Sequence, residues 1–422
     1  MRKSQLSGKE LSGRVFLMLQ GPQSRFFVRL ARELMQTGAK VVKVNLCGGD
    51  VLLWHPSRDS NIRTLNYHGR ACSFPLFVKK VLLQYRVTDL LVYGDWRPLH
   101  QDAILLARSR GVRIWVFEEG YLREGFVTLE RNGVNGRSSM PKSADTIREL
   151  ARDLPEFKPS PYNIENIRPK VLFAIRHHVG NVLLFFMFMF YRTHRVHNIF
   201  FELIGILPRY LRRVRRNARA RQTLENFFRQ GHPYFFYPLQ LNHDSQIQLY
   251  SPYIRQEEAI TTVISSFAQY APPDVYLVIK NHPLDNGLIP YRSYISAMAR
   301  ALNVDRRVVF VEAGNNQDLI SGCRGVVLIN STMGLSALCE LKNVFCLGYA
   351  IYSVRGLARN FIHSSLDEFW KLDENKDKID PGLLEDFCRV LRSMALLEGD
   401  YYTKRGTVMA VNQSIVRFAG AT

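Results

Sequence analysis

Acid is the scarce component of this 422-residue chain: 37 Asp and Glu face 57 Lys and Arg, leaving a formal charge of +20. Such an excess favours anionic partners: a membrane surface or nucleic acid. Cysteine is sparse too. The six (Cys47, Cys72, Cys323, Cys339, Cys346, Cys388) show no CxxC and no His-rich spacing. That argues against a disulfide or zinc framework and for reduced, mostly buried thiols in a cytosolic protein. No apolar run reaches the roughly 18 residues a spanning helix needs. The polar stretch from Met1 to Gly13 has no signal-peptide core, so a cytoplasmic location is expected. Internal repeats and low-complexity tracts are absent. No nucleic-acid motif accompanies the high pI, so nucleic acid is not expected as a partner.

With 46% hydrophobic and 12% aromatic residues, the chain can bury the cores of two or three domains. Its charge is concentrated. Between Arg168 and Arg229, 62 residues hold 13 Lys or Arg and only Glu202 and Glu225 as acids, a net +11. Arg209, Arg212, Arg213, Arg215 and Arg216 lie in the densest part, and the apolar run Val179 to Tyr191 precedes them. That run suits a helix lying in a membrane interface, and each basic residue near an anionic leaflet adds on the order of 1 kcal/mol. The blander alternative is a solvated basic face beside a buried helix.

Apolar runs alternate with helical stretches in two blocks. The first has expected strands Val15 to Leu19, Val41 to Leu46, Leu90 to Tyr93 and Val112 to Phe117, with helices near Ser24 to Gln36 and Gln101 to Arg110. The second begins at Tyr234, with strands Tyr234 to Leu239, Val275 to Ile279, Val308 to Val311, Val326 to Ile329 and Val344 to Leu347. This pattern predicts an α/β protein of two Rossmann-like, doubly wound domains facing a cleft. The expected boundaries are 1–160, a basic amphipathic insertion at 161–230, a second Rossmann-like domain at 231–382, and a helical segment at 383–422 packing back on the first.

Polar groups follow these strands, where open α/β sheets bind ligands. Glu118 and Glu119 end one strand; being adjacent, they point in opposite directions, so only one can face a cleft. Buried acids at a strand end are costly unless function retains them. His282, beside Lys280 and before Pro283, can hydrogen-bond or protonate a leaving phosphate. Ser331 and Thr332 open a helix and suit an anion, although a plain N-cap has the same composition. Asp244 sits among amides in Gln240 to Gln246 and reads equally as an Asx turn. Asp95 is either a site acid or the partner of Arg97.

Leu19-Gln20-Gly21-Pro22, Gly94-Asp95-Trp96-Arg97-Pro98-Leu99-His100 and Phe117-Glu118-Glu119-Gly120-Tyr121-Leu122-Arg123 resemble the KpsS family of capsule polysaccharide proteins of Gram-negative bacteria. So do Asn242-His243-Asp244-Ser245-Gln246-Ile247, Val278-Ile279-Lys280-Asn281-His282-Pro283 and Ile329-Asn330-Ser331-Thr332. The resemblance runs in order from about residue 14 to 360. It implies a GT-B-like fold and a retaining transfer of the first β-Kdo from CMP-β-Kdo to a (lyso)phosphatidylglycerol lipid, starting the linker of a capsular polysaccharide. The donor then belongs to the second domain and the acceptor to the first. By the same resemblance Asp244 is the nucleophile, Glu118 or Glu119 the base, and His282, Ser331 and Thr332 hold the CMP phosphate. Gln20, Gly21, Asp95 and Arg97 join the substrate-binding set. Arg123, Lys280 and Arg355 are candidates for the Kdo carboxylate.

The family's mechanism needs no metal or other cofactor, and no DxD-type acidic pair stands near a strand end. The implied location is the inner face of the inner membrane, with a KpsC-like transferase and the capsule export complex as possible partners. Two other readings remain: a different membrane-surface transferase, such as a glycerol-phosphate polymerase, and a non-catalytic adaptor for export.

Overall fold

A computed structural model describes residues 11–55, 62–122, 125–160, 168–192, 213–241, 245–373 and 376–420. Among them, unit 1 gathers those within 1–140, 157–194 and 391–422, and unit 2 those within 141–156 and 195–390.

Unit 1 is built on seven strands. β1 (Val15–Met18), β2 (Lys40–Asn45), β3 (Ile62–Asn66), β4 (Asp89–Tyr93) and β5 (Arg113–Glu119) run parallel in the order β3-β2-β1-β4-β5. β6 (Phe126–Arg131) and a late strand, Leu396–Glu398, extend the sheet antiparallel beyond β5. Both faces are covered, as parallel strands require. Helices Phe74–Gln84 and Pro98–Arg108 close one face over Leu17, Leu90 and Val116. Helices Phe26–Gln36 and Lys404–Ala419 close the other over Phe16, Trp115 and Phe117. Phe418 anchors the last helix, its ring 4.8 Å from Trp115 and 5.3 Å from Phe16.

Unit 2 is a wholly parallel sheet of β7 (Tyr234–Pro238), β8 (Tyr276–Lys280), β9 (Val308–Val311), β10 (Gly325–Leu328), β11 (Asn343–Cys346) and β12 (Arg359–Asn360). Its order, β12-β11-β10-β7-β8-β9, is that of a doubly wound nucleotide-binding sheet with its switch point between β7 and β10. Unit 1 repeats this arrangement with its switch point between β1 and β4. The chain is thus α/β, with two Rossmann-like units, the composition of a GT-B-like fold.

The basic stretch does not stand apart as one insertion. Its first helix, Arg168–Leu183, belongs to unit 1 and its last, Arg213–Gln230, to unit 2. The reason is close backbone packing: a Cβ on Gly48 would stand 2.1 Å from the Gly180 carbonyl oxygen, so only glycines let Arg168–Leu183 lie on helix Gly48–Leu53. The expected segment 383–422 divides: helix Pro381–Met394 lies mostly in unit 2, whereas residues from 391 on, with strand Leu396–Glu398 and helix Lys404–Ala419, belong to unit 1. No described helix is long and apolar enough to cross a membrane.

Candidate functional site

The alternation of β5 separates the two glutamates. Ile114 and Val116 face the core under helix Pro98–Arg108, and Glu118 continues that side. Trp115 and Phe117 face helix Lys404–Ala419, and Glu119 continues theirs. Glu119 is tied down: its Oε1 accepts from Lys170 Nζ at 3.1 Å and from the Tyr402 hydroxyl at 3.0 Å. The Glu118 carboxylate accepts the N–H of Glu119 at 3.1 Å, while its backbone carbonyl accepts the Tyr401 hydroxyl at 2.7 Å. Burial pushes the Glu118 carboxyl up to about 7, and the neighbouring Glu119 charge adds to this. The Glu119 N–H and the Arg97 guanidinium oppose the rise without cancelling it.

Arg97 and Gln20 bridge the switch point of unit 1. Arg97 Nη1 donates to Gln20 Oε1 at 2.7 Å, joining the loop after β4 to the loop after β1. Asp95 is buried and accepts the Val134 N–H at 3.3 Å. The Arg97 guanidinium lies over the rings of Tyr93 and Trp96, and its Nε is buried without a hydrogen-bond partner among the described residues. A donor held this way beside an ionisable carboxyl is equipped for an incoming anion. Gly21 is required for close packing, since a Cβ there would meet Phe27 Cδ2 at 2.7 Å.

Unit 2 carries a matching bridge. Gln240, after β7, donates Nε2 to Asn330 Oδ1 and accepts the Asn330 N–H, both at 3.0 Å. Asn330 follows β10, so the paired amides span the second switch point, with Ser331 and Thr332 next in the chain. Ser331 Oγ accepts the Met333 N–H at 3.2 Å, and the Tyr352 hydroxyl donates to the Ser331 carbonyl. His282 lies one strand over, past β8. Its Nδ1 accepts the Leu284 N–H at 3.1 Å, which leaves Nε2 to carry the proton of the neutral ring. The Asn281 side chain fixes the loop by accepting the His282 N–H at 2.8 Å.

The model of a family described as "Capsule polysaccharide biosynthesis protein" matches residues 88–402. The chain belongs to this capsule polysaccharide biosynthesis family. It is 33% identical over 372 residues to the capsule polysaccharide export protein KpsS of Escherichia coli, covering 87% of this chain and 92% of that protein. It is 31% identical over 413 residues to the capsule polysaccharide modification protein LipB of Neisseria meningitidis serogroup A, covering 95% of each. A solved structure, Thermosulfurimonas dismutans KpsC, beta Kdo 2,7 transferase, is 14% identical with a TM-score of 0.45, covering 95% of this chain and 100% of that one.

Within this family member, unit 1 brings together Gln20, Gly21, Asp95, Arg97, Glu118 and Glu119 at adjoining strand ends. Unit 2 places His282, Ser331 and Thr332 after β8 and β10. Asp244, Arg123, Arg209 and Arg212 lie outside the described residues. Lys280 points to the opposite face of its sheet from Ile279, its stem beside Gly314 in the loop after β9. Burial holds its ammonium below the usual lysine range. Arg355 is exposed on the loop before β12. Arg213 and Arg215 are exposed, whereas Arg216 has its Nε and Nη1 buried. Tyr401 and Tyr402 were not foreseen. They bind Glu118 and Glu119 from the far end of the chain, and no local pattern around Gly399-Asp400 announces that contact.

Proposed function

We propose that the chain transfers the first β-Kdo residue from CMP-β-Kdo to a (lyso)phosphatidylglycerol lipid with retention of configuration. One observation carries the reading: Glu118, at the carboxyl end of β5, has its carboxyl pushed up to about 7 while Glu119 is engaged by Lys170 and Tyr402. A general base works best when its pKa lies near the operating pH, so Glu118 takes the proton of the acceptor hydroxyl. Arg97, whose Nε is buried without a hydrogen-bond partner among the described residues, receives the acceptor phosphate.

In the first step an Asp244 carboxylate oxygen attacks the anomeric carbon and the bond to CMP breaks. The leaving phosphate is met by the proton on His282 Nε2 and by the Ser331 and Thr332 hydroxyls. In the second, the deprotonated acceptor oxygen displaces Asp244, and two inversions give net retention. Kdo also carries a carboxylate. Arg355, exposed and cationic, and Arg123 remain its candidate partners, ahead of the inward-turned Lys280.

A lipid acceptor calls for a protein at the bilayer surface. Support comes from helix Arg168–Leu183 and the turn after it, where Leu172, Val182, Leu183 and Phe186 are exposed, Phe186 by 83%. Arg168, Lys170, Arg176 and Arg192 accompany them with no acid between. Aromatic and aliphatic side chains among cations suit peripheral binding to the anionic inner leaflet. There a KpsC-like transferase and export proteins would take over the product.

The test is trapping. Incubated with CMP-β-Kdo and no acceptor, Glu118→Gln protein should gain the mass of one Kdo residue, and Glu118→Gln/Asp244→Ala protein should not. An unmodified mass in both, with capsule intact in cells carrying either, would replace the transferase by an export role, the role named for the Escherichia coli relative.

A further inference from the structure

Beside Gln20, three ligand-type side chains meet in the interior of unit 1. Cys47 and Asp50 come from the start of helix Gly48–Leu53, and His177 from helix Arg168–Leu183, 130 positions along the chain. All three are buried, and one ligand atom of each lies within 4.8 Å of the others. We propose that Cys47, Asp50 and His177 form a zinc site that fastens the basic helix to the catalytic unit.

The geometry fits the ion. Zinc holds thiolate sulfur at about 2.3 Å and imidazole nitrogen at about 2.0 Å, so a tetrahedral angle puts those atoms about 3.5 Å apart. Cys47 Sγ and His177 Nε2 stand at 3.6 Å. Asp50 is already oriented, because its Oδ2 accepts the Leu46 N–H at 2.9 Å and leaves Oδ1 facing the cluster. A set of sulfur, imidazole and carboxylate ligands selects zinc over the hard cations magnesium and calcium.

The surroundings supply the outer support such sites use. Gln23 Nε2 lies 3.4 Å from His177 Nδ1. Asn181 Nδ2 stands at the same 3.4 Å from Nδ1, its Oδ1 holding the Gly49 N–H. Metal binding through Nε2 places the ring proton on Nδ1, so a half-turn of the Gln23 amide offers its oxygen there while the Asn181 amide shifts aside. Gly49 allows the ring its place, since a Cβ there would be 2.4 Å from His177 Cδ2. The Gln20 Nε2 group donates to Cys47 Sγ at 3.4 Å and to Asp50 Oδ1 at 3.2 Å, marking the position an ion would take. The buried Lys43 ammonium is a cation already facing Cys47 and Asp50. Because Gln20 Oε1 is held by Arg97 Nη1, the fourth ligand is water, admitted as the Gln20 Nε2 group shifts aside. Through Gln20 the site adjoins Arg97, so the ion would brace the loop that positions it. Binding converts the Cys47 thiol to thiolate and releases its proton to solvent.

The test uses untagged full-length protein, stripped with a chelator and re-equilibrated with Zn²⁺ under reducing conditions. About one zinc per chain is expected after gel filtration, and Co²⁺ in its place should give a thiolate-to-cobalt charge-transfer band. Cys47→Ser should abolish the band and bring zinc below about one tenth per chain, while Cys72→Ser, at an exposed thiol elsewhere, should change neither. Gln23→Leu, which spares all three ligands, should weaken Zn²⁺ binding by about 10-fold or more. This keeps the test sound should Cys47→Ser fail to fold. Wild-type protein without zinc and without a cobalt band overturns the proposal. So does zinc held equally by the wild type and Cys47→Ser, or Gln23→Leu binding as tightly as the wild type.

Discussion

Replacing each member of the acid pair by glutamine separates the base from its neighbour. Glu118→Gln removes the proton acceptor while keeping its size, and loss of a general base costs about 10²- to 10⁴-fold. At 1.36 kcal/mol per tenfold this is about 3 to 5.5 kcal/mol of transition-state stabilisation. Glu119→Gln removes an ion pair whose side chains are 42% and 50% exposed. Pairs that open to water contribute about 0 to 1 kcal/mol, so transfer should fall by less than about 5-fold. The assay is kcat/KM for transfer from CMP-β-Kdo to a soluble lysophosphatidylglycerol analogue, measured from pH 5.5 to 8.5. Wild-type activity should fall on the acid side with a midpoint near the Glu118 value of about 7, and Glu118→Gln should lack that limb. Stability moves the other way. A carboxyl raised on folding favours the native state at low pH and loses that contribution as pH rises from the unfolded value towards 7. Glu118→Gln should therefore be no less stable than wild type at pH 8. If Glu119→Gln is the crippled variant, or the acid limb survives in Glu118→Gln, the assignment of the base is refuted.

Three further outcomes test other parts of the molecule. Asp89 is fully buried and accepts from Arg14, Arg113 and Trp115; burial alone would raise its carboxyl, but these bonds outweigh it and hold it below the usual range. Asp89→Asn strands two cations and should cost about 3 to 5 kcal/mol in denaturant unfolding; the wild-type contribution holds above the unfolded carboxyl value and is lost as pH falls through the lower folded one. Val182→Ser with Phe186→Ser removes two exposed apolar anchors of about 1.5 to 3 kcal/mol each, so affinity for vesicles rich in phosphatidylglycerol should drop by about 100-fold or more. Turnover of the soluble acceptor should survive that change, and equal loss of both would make the surface structural. Gly180→Val drives a side chain into the Gly48 carbonyl and should lower stability by about 1 to 3 kcal/mol, read as a reduced Tm.

Much of this was legible because parallel strands, buried on both faces, read as apolar runs. Val41 to Leu46, Leu90 to Tyr93 and Val275 to Ile279 fall on β2, β4 and β8, and the polar residues after them mark the strand ends. β3 was not legible: its Arg63 and Thr64 are exposed at a sheet edge, so the strand lacks an apolar signature. β6 pairs antiparallel with β5 across a short loop, and nothing local sets it apart from a crossover. The alternation of Glu118 and Glu119 could be read from their adjacency. Which of the two is engaged could not, because Lys170 and Tyr402 arrive from 51 and 283 positions away. Distance along the chain hides Cys47, Asp50 and His177 in the same way. The basic stretch looked like one module by charge, but the contact of Gly180 with Gly48 assigns its first helix to unit 1.

The central claim is the transfer itself, and mass spectrometry of the lipid product tests it most directly. With CMP-β-Kdo generated in situ and a fluorescent lysophosphatidylglycerol analogue, the account predicts an acceptor heavier by one Kdo residue. It also predicts that Asp244→Ala yields none. An unchanged acceptor with wild-type protein, under conditions where CMP-β-Kdo is shown to persist, would contradict it.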